Sequence, residues 1–241
     1  MPVGFEVLRY KKFYVDFSGG KDSLAALLWT YERFPRQNIA VLYIEVTGNT
    51  HQLCTEYVRK VCSELGLQLI IDKQSMSFFE CLKRWSIPLI SAQRWCLSHF
   101  KVKVFRRYAD RPHVTGMTRS SVWRKSTQPV EYVRWSGNLT FNPILDWSRE
   151  QIMDFIRDHG FELNPCYERY GHSGNCMFCP YHRREAIVKV LQDPYWRVKI
   201  ISALQDILET GRCGKMGLKL LKAWLREAPQ LTLDHFNGGE V

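Results

Sequence analysis

Apolar residues fall along this chain first in continuous runs and later at helical spacing, and the change predicts where sheet gives way to helix. The run at 12–17 (KFYVDF) reads as a buried strand. From Ser23 onward Leu24, Leu27, Leu28 and Tyr31 recur at helical spacing, and Pro35 marks the exit. The run at 39–46 (IAVLYIEV) is apolar on both faces, the pattern of a parallel strand covered by helices on each side. A helix over 52–65 stops at Gly66, and a third strand covers 67–72. Strand, helix, strand, helix, strand predicts a doubly wound α/β fold, Rossmann-like, with a parallel sheet.

Beyond it, helical spacing returns at 78–85 and, in a basic stretch, at 97–108; RPHVTGM gives a short strand ending at Gly116. In DWSREQIMDFIRDHG, Ser148 and Gln151 form a capping box, Ile152, Phe155 and Ile156 share a face, and Gly160 ends the helix. Residues 183–228 read as amphipathic helix. The expected organisation is a nucleotide-binding α/β domain over 1–147, a helix and cysteine-rich segment over 148–185, and a helical appendage over 186–241.

Charge narrows the partners. A formal net charge of +10 in 241 residues favours a polyanion, nucleic acid or a phosphorylated small molecule. No stretch approaches the roughly 20 apolar residues a membrane-spanning helix needs, and the first residues lack the apolar segment of a signal peptide. A cytoplasmic location is expected, where eight cysteines are thiols rather than a disulfide framework.

The turn between the first strand and helix holds Ser18, Gly19, Gly20, Lys21, Asp22 and Ser23. Glycines there let the backbone approach an anion, helix N–H groups point at it, and Lys21 adds a charge. Asp22 either holds the turn or helps place Mg²⁺. The spacing is not that of a Walker A loop. SGGKDS, RWCLSHFKVKVF, VTGMTRSSVWRK, NPILDWSREQIMDFI and NPCYERYGHSGNCMFCP together resemble the PP-loop ATP pyrophosphatases of the adenine nucleotide alpha-hydrolase superfamily, in the phosphoadenylyl-sulfate (PAPS) reductase-like branch. The resemblance implies that the loop amides, Ser18 and Ser23 hold phosphates, that the strand around Val41–Ile44 reads adenine through its backbone, and that Gly116 and Arg119 close over the phosphates. Lys21, Asp22 and Arg119 are the implied catalytic residues, and ATP or a sulfonucleotide the ligand. Where relatives carry Asp-Thr-Gly after the second strand, this chain has Glu45-Val46-Thr47-Gly48.

Among the cysteines, Cys54, Cys62 and Cys81 lie on apolar helical stripes and read as core, and Cys213 as a surface or partly buried thiol in a turn. Cys176 and Cys179 form a C-x₂-C pair, with Cys166 ten residues upstream and Cys96 placed by the fold near the carboxyl edge of the sheet, before a helix whose N-terminus favours a thiolate. Such a set closes a [4Fe–4S] site or a structural zinc; a redox disulfide and unliganded packing stay open. Iron over zinc follows from the resemblance.

The same family's reductases use a C-terminal Glu-Cys-Gly-x-His thiol, whereas these 241 residues hold no cysteine after Cys213, and GRCGK departs from that motif. The expectation is therefore ATP cleavage at the α-phosphate to activate a substrate for sulfur transfer, with tRNA or DNA as substrate and a protein or small molecule as sulfur donor. A sulfite-releasing reductase and a non-catalytic nucleotide-binding subunit are the rivals; a homodimer is left open. Arg124 is a further candidate to assist at the phosphates. Lys101, Lys103, Arg106, Arg107 and Arg111 cluster near Cys96, and Trp123, Trp135, Tyr167 and Tyr170 are candidates to stack bases. Lys215, Lys219, Lys222 and Arg226 read more simply as a charged outer helix face.

Overall fold

A computed structural model describes residues 4–89, 94–120 and 126–227. Its strands are β1 (Phe13–Asp16), β2 (Ile39–Glu45), β3 (Gln68–Lys73), β4 (His113–Val114), β5 (Val130–Val133) and β6 (Asn138–Phe141). They form one sheet in the order β3-β2-β1-β4-β6-β5. All neighbours pair parallel except β5, which closes one edge antiparallel to β6. The doubly wound α/β fold expected from the sequence is present, with this antiparallel edge added.

The helices are α1 (Lys21–Arg33), α2 (Gln52–Leu65), α3 (Phe78–Trp85), α4 (Lys103–Arg107), α5 (Arg149–Asp158), α6 (Cys166–Tyr170), α7 (Arg184–Gln192), α8 (Pro194–Glu209) and α9 (Lys215–Glu227). The basic stretch predicted as one helix divides into a π-helical turn, Leu97–Val102, running into α4. Ser77 and Glu80 cap α3 as Ser148 and Gln151 cap α5, each pair bonding reciprocally. Gly66 ends α2 in the left-handed region at φ 63°.

Strand alternation sorts the core into two layers. Phe13, Val15, Ile39, Val41 and Tyr43 face α1 and α2, and Leu24 to Leu28 of α1 are buried all round. Tyr14, Ala40, Leu42 and Ile44 face the other way, against Val104 of α4. At roughly 25 cal/mol per Å² of apolar surface, each such fully buried leucine or valine contributes about 1.5–3 kcal/mol. The apolar core runs without a break from Phe5 to Trp224, because α8 packs on α3 and α7 contacts both α8 and α9. Among the described residues no helix is long and apolar enough to cross a membrane.

This winding makes the site. From β1 the chain moves outward to β2 and β3 and then returns to place β4 on β1's other side. A crevice opens at the carboxyl end of β1, where ligands of such sheets bind.

Candidate nucleotide and thiol site

The turn after β1 is held open by its own side chains. Ser23 Oγ donates to Gly20 O at 2.9 Å and accepts from Ser18 N at 3.2 Å, and the two serine hydroxyls lie 3.1 Å apart. Gly19 sits at φ 76°, and a Cβ there would fall 2.8 Å from Cys54 Sγ. Cys54 is thus buried as expected, but it also props the turn, its thiol reaching Ser18 O at 3.6 Å. Asn164 Nδ2 donates to Gly19 O at 3.1 Å, and Tyr167 Oη accepts from Lys21 N at 3.1 Å. Among the described residues the amides of Gly19, Gly20 and Asp22 keep no acceptor. The Lys21 ammonium pairs with Asp22, so this carboxylate holds the lysine.

Gly116 follows β4 and lies directly on the first turn of α1. A Cβ there would stand 2.5 Å from Asp22 C and O and from Ser23 N. Arg119 is anchored nearby through its own amide to Leu145 O at 2.8 Å, with Nε on Asp146 at 2.5 Å and Nη1 on Thr127 O at 3.2 Å. Arg124 and Trp123 lie outside the described residues.

Ile44 lines a small cavity of about 50 Å³ with Asp16, Ser18, Leu42, Lys101, Phe105 and Asn175. At its base is a pairing the sequence reading missed. His113 Nδ1 lies 2.8 Å from Asp16 Oδ1 and Nε2 lies 3.0 Å from Tyr108 O. Two acceptors suit an imidazolium. Burial alone lowers this ring's pKa, but Asp16's charge and hydrogen bond, helped by the Tyr108 carbonyl, raise it on balance.

A second cavity, of about 70 Å³, is bordered by Cys96, Cys176 and Cys179 together with Arg94 and Lys101. Lys101 therefore faces both cavities. Cys166 does not border this space. It is fully buried, and a Cβ on Gly174 would fall 2.6 Å from its Sγ. Burial pushes the Cys166 thiol up to about 12 and, with Cys176 beside it, Cys179 up to about 11. Cys176 is raised by burial, opposed by Lys101; Cys96 is raised by burial against Arg94 and the Leu97 amide, so the helix start does not make it the expected thiolate. Among the described residues no three His, Cys, Asp or Glu side chains converge as metal ligands. The four-cysteine set is thus split three to one. What the three offer suits a thiolate-held group in donor type and charge, since Arg94 and Lys101 complement the anion it would form, but as placed here they border one space without converging as ligands.

The cysteine loop is positioned by Asn49, which the sequence reading passed over. Asn49 is fully buried; its side chain donates to Phe178 O at 2.9 Å and accepts from Phe178 N at 2.8 Å, between the two cysteines. Thr50 adds bonds to Asn175 at 3.0 and 3.1 Å. His172 and His182 lie against each other, rings tilted by 42° with centroids 4.3 Å apart, and burial lowers them to about 4 and about 3, leaving neutral rings.

Two base-stacking candidates have other work. Tyr170 is buried, between His51 Nε2 and the Asp193 carboxylate. Tyr167 is the ring over the turn. Arg107 pairs with Asp72, Arg106 holds Trp135 O, and Lys215, Lys219, Lys222 and Arg226 form the exposed face of α9 opposite buried Leu221 and Trp224.

The sheet order and the serine- and glycine-lined turn after the first strand agree with the class to which a family-model match assigns the molecule, the PP-loop adenine nucleotide alpha-hydrolases. Within it the chain belongs to the phosphoadenosine phosphosulfate reductase domain family, whose model matches residues 12–182. A crystal structure of phosphoadenylyl-sulfate (PAPS) reductase from Candida auris, a phosphate complex, shares the fold at a TM-score of 0.50 and 19% identity, over 68% of this chain and 80% of that one. Two Methanocaldococcus jannaschii proteins, MJ0973 and MJ0066, are 26% and 25% identical over 73% and 74% of this chain. The chain covers only 44% and 39% of their lengths.

Proposed function

We propose that this chain binds ATP at the 18–23 turn and cleaves it at the α-phosphate to activate a nucleic acid, tRNA or DNA, for sulfur transfer. A substrate oxygen attacks the α-phosphorus and pyrophosphate leaves. A sulfur nucleophile from a donor protein or small molecule then replaces the adenylated oxygen, releasing AMP. The turn amides and Lys21 stabilise charge on the departing phosphates, Asp22 orients Lys21, Gly116 lets the β4 loop close, and Arg119 stands at the rim. Mg²⁺ belongs to this scheme as a counter-ion of the phosphates.

The observation that carries this reading is Lys101, one basic residue that lines both the small cavity beside the turn and the cavity of thiols. It argues for one reaction space rather than two separate sites. An iron–sulfur cluster, or zinc as second choice, is the group the family implies; Cys96, Cys176 and Cys179 would hold it, with Cys166 reaching it only after the segment around Gly174 shifts. When bound, it supplies a metal able to take up sulfur.

Pyrophosphate release from ATP, measured with and without tRNA or DNA on anaerobically prepared protein, tests the proposal. Stimulation by nucleic acid supports it. Sulfite release from adenylyl sulfate or its 3′-phosphorylated form, with none of the ATP reaction, would replace it by the reductase reading. ATP binding with neither turnover would leave a nucleotide-binding subunit.

A further inference from the structure

We propose that the Tyr167 hydroxyl is a phosphate ligand: it accepts the Lys21 amide and donates its own proton to a phosphate oxygen held in the turn. The inference rests on the reading of 18–23 as the nucleotide site, and adds a wall to it from a distant part of the chain.

The first amides of a helix lack intrahelical acceptors, and in this turn they are the anion site. Lys21 N differs from its neighbours in already having a partner, Tyr167 Oη at 3.1 Å. The phenol lies over the turn, since a Cβ on Gly20 would come within 3.4 Å of it. A phenol has one proton to donate. Among the described residues Tyr167 Oη accepts that amide and has no acceptor for the proton. Burial and the Asp22 charge raise its pKa against the opposing Lys21 bond, so the proton stays on the oxygen. A neutral donor is therefore fixed at the edge of a set of open amides, the arrangement a phosphate completes.

The segment that bears the ring is also braced, Tyr167 N donating to Asn164 O at 2.9 Å. Asn164, almost wholly buried, holds Gly19 O at 3.1 Å and Ser173 O at 2.8 Å, and its Oδ1 takes Cys166 N at 2.9 Å. Tyr167 thus belongs to the segment that leads to Cys176 and Cys179. A phosphate bound to this hydroxyl ties that segment to the nucleotide.

The test is calorimetric titration of wild type and Tyr167→Phe with α,β-methylene ATP and with adenosine. A hydrogen bond to a charged group is worth roughly tenfold or more in affinity. The analogue is expected to bind the variant about tenfold more weakly, with adenosine affinity and melting temperature unchanged. Unchanged or tighter binding of the analogue would overturn the proposal, showing the phenol to be a plug that phosphate displaces. An equal loss for adenosine would overturn it in favour of a structural role. Wild-type protein that binds neither ligand would overturn the nucleotide reading itself, a distinguishable failure. Should the variant fold poorly, nitration of Tyr167 by tetranitromethane in the native chain decides: the analogue, and not adenosine, slows it. Acceleration by the analogue would refute the contact.

Discussion

Gly116→Ala probes the meeting of the β4 loop with the first turn of α1. The new methyl would stand 2.5 Å from three backbone atoms of Asp22 and Ser23. Carbon contacts are optimal near about 3.5 Å, so one backbone must retreat by about 1 Å. No flexible side chain is there to yield. Overpacking of this kind costs about 1–3 kcal/mol, or about 3–9 °C of melting temperature in a chain of this size. The retreat also lifts the loop bearing Gly116 from the turn, and ATP affinity should fall at least tenfold. Gly66→Ala is the control. It too is strained, by about 1–2 kcal/mol from its φ of 63°, but has nothing within 4 Å of its Cβ and lies at the far end of α2. Calorimetry and nucleotide titration on both variants separate general destabilisation from local opening. A Gly116→Ala protein that melts within 1 °C of wild type and binds ATP within about twofold would refute the reasoning.

Three further outcomes follow from named contacts. His113→Gln breaks a buried pair with Asp16, worth about 3 kcal/mol in such settings. Because the folded pKa is raised, that stabilisation is complete below the unfolded value of about 6.5 and fades as pH rises through the folded one. Urea denaturation at pH 6 and pH 9 should show a larger loss at pH 6; an equal loss at both would contradict the imidazolium assignment. Asn49→Ala strands both backbone groups of Phe178, costing about 2–4 kcal/mol, and Cys176 and Cys179 should then react faster with a disulfide reagent. Unaltered thiol kinetics would show that Asn49 does not fix the loop. Arg119→Ala removes an ion pair between side chains that are 48% and 67% exposed, so stability should change by less than about 1 kcal/mol. Lost ATP cleavage in a fully stable variant would mark Arg119 as chemical rather than structural.

The strands of one half of the sheet were legible because β1 and β2 are short, continuous apolar runs with glycine or proline near their borders. β5 and β6 were not. Glu131, Tyr132 and Leu139 keep partly or largely exposed side chains, so the hairpin lacks an apolar run and gains its order from pairing with β4. The same divide runs through the site. Ser18 to Ser23 carry their meaning in the local backbone, whereas Tyr167 and Asn164 matter only through contacts 146 and 145 residues away along the chain. Cysteine spacing showed that Cys176 and Cys179 belong together. It held no information on α6 and the Gly174 turn, which take Cys166 beneath the loop instead of into the cavity.

The π-helical turn at Leu97–Val102 bears on how Cys96 and Lys101 came to be neighbours. In a regular α-helix, at 3.6 residues per turn, a residue five positions on points about 140° away from the first. The wider winding of a π turn brings it back overhead, and both side chains border one space. The winding of this one turn thus gives the molecule its proximity of sulfur and cation: the same residues wound as a regular α-helix would carry Lys101 about 140° away from Cys96 while leaving every side chain chemically intact.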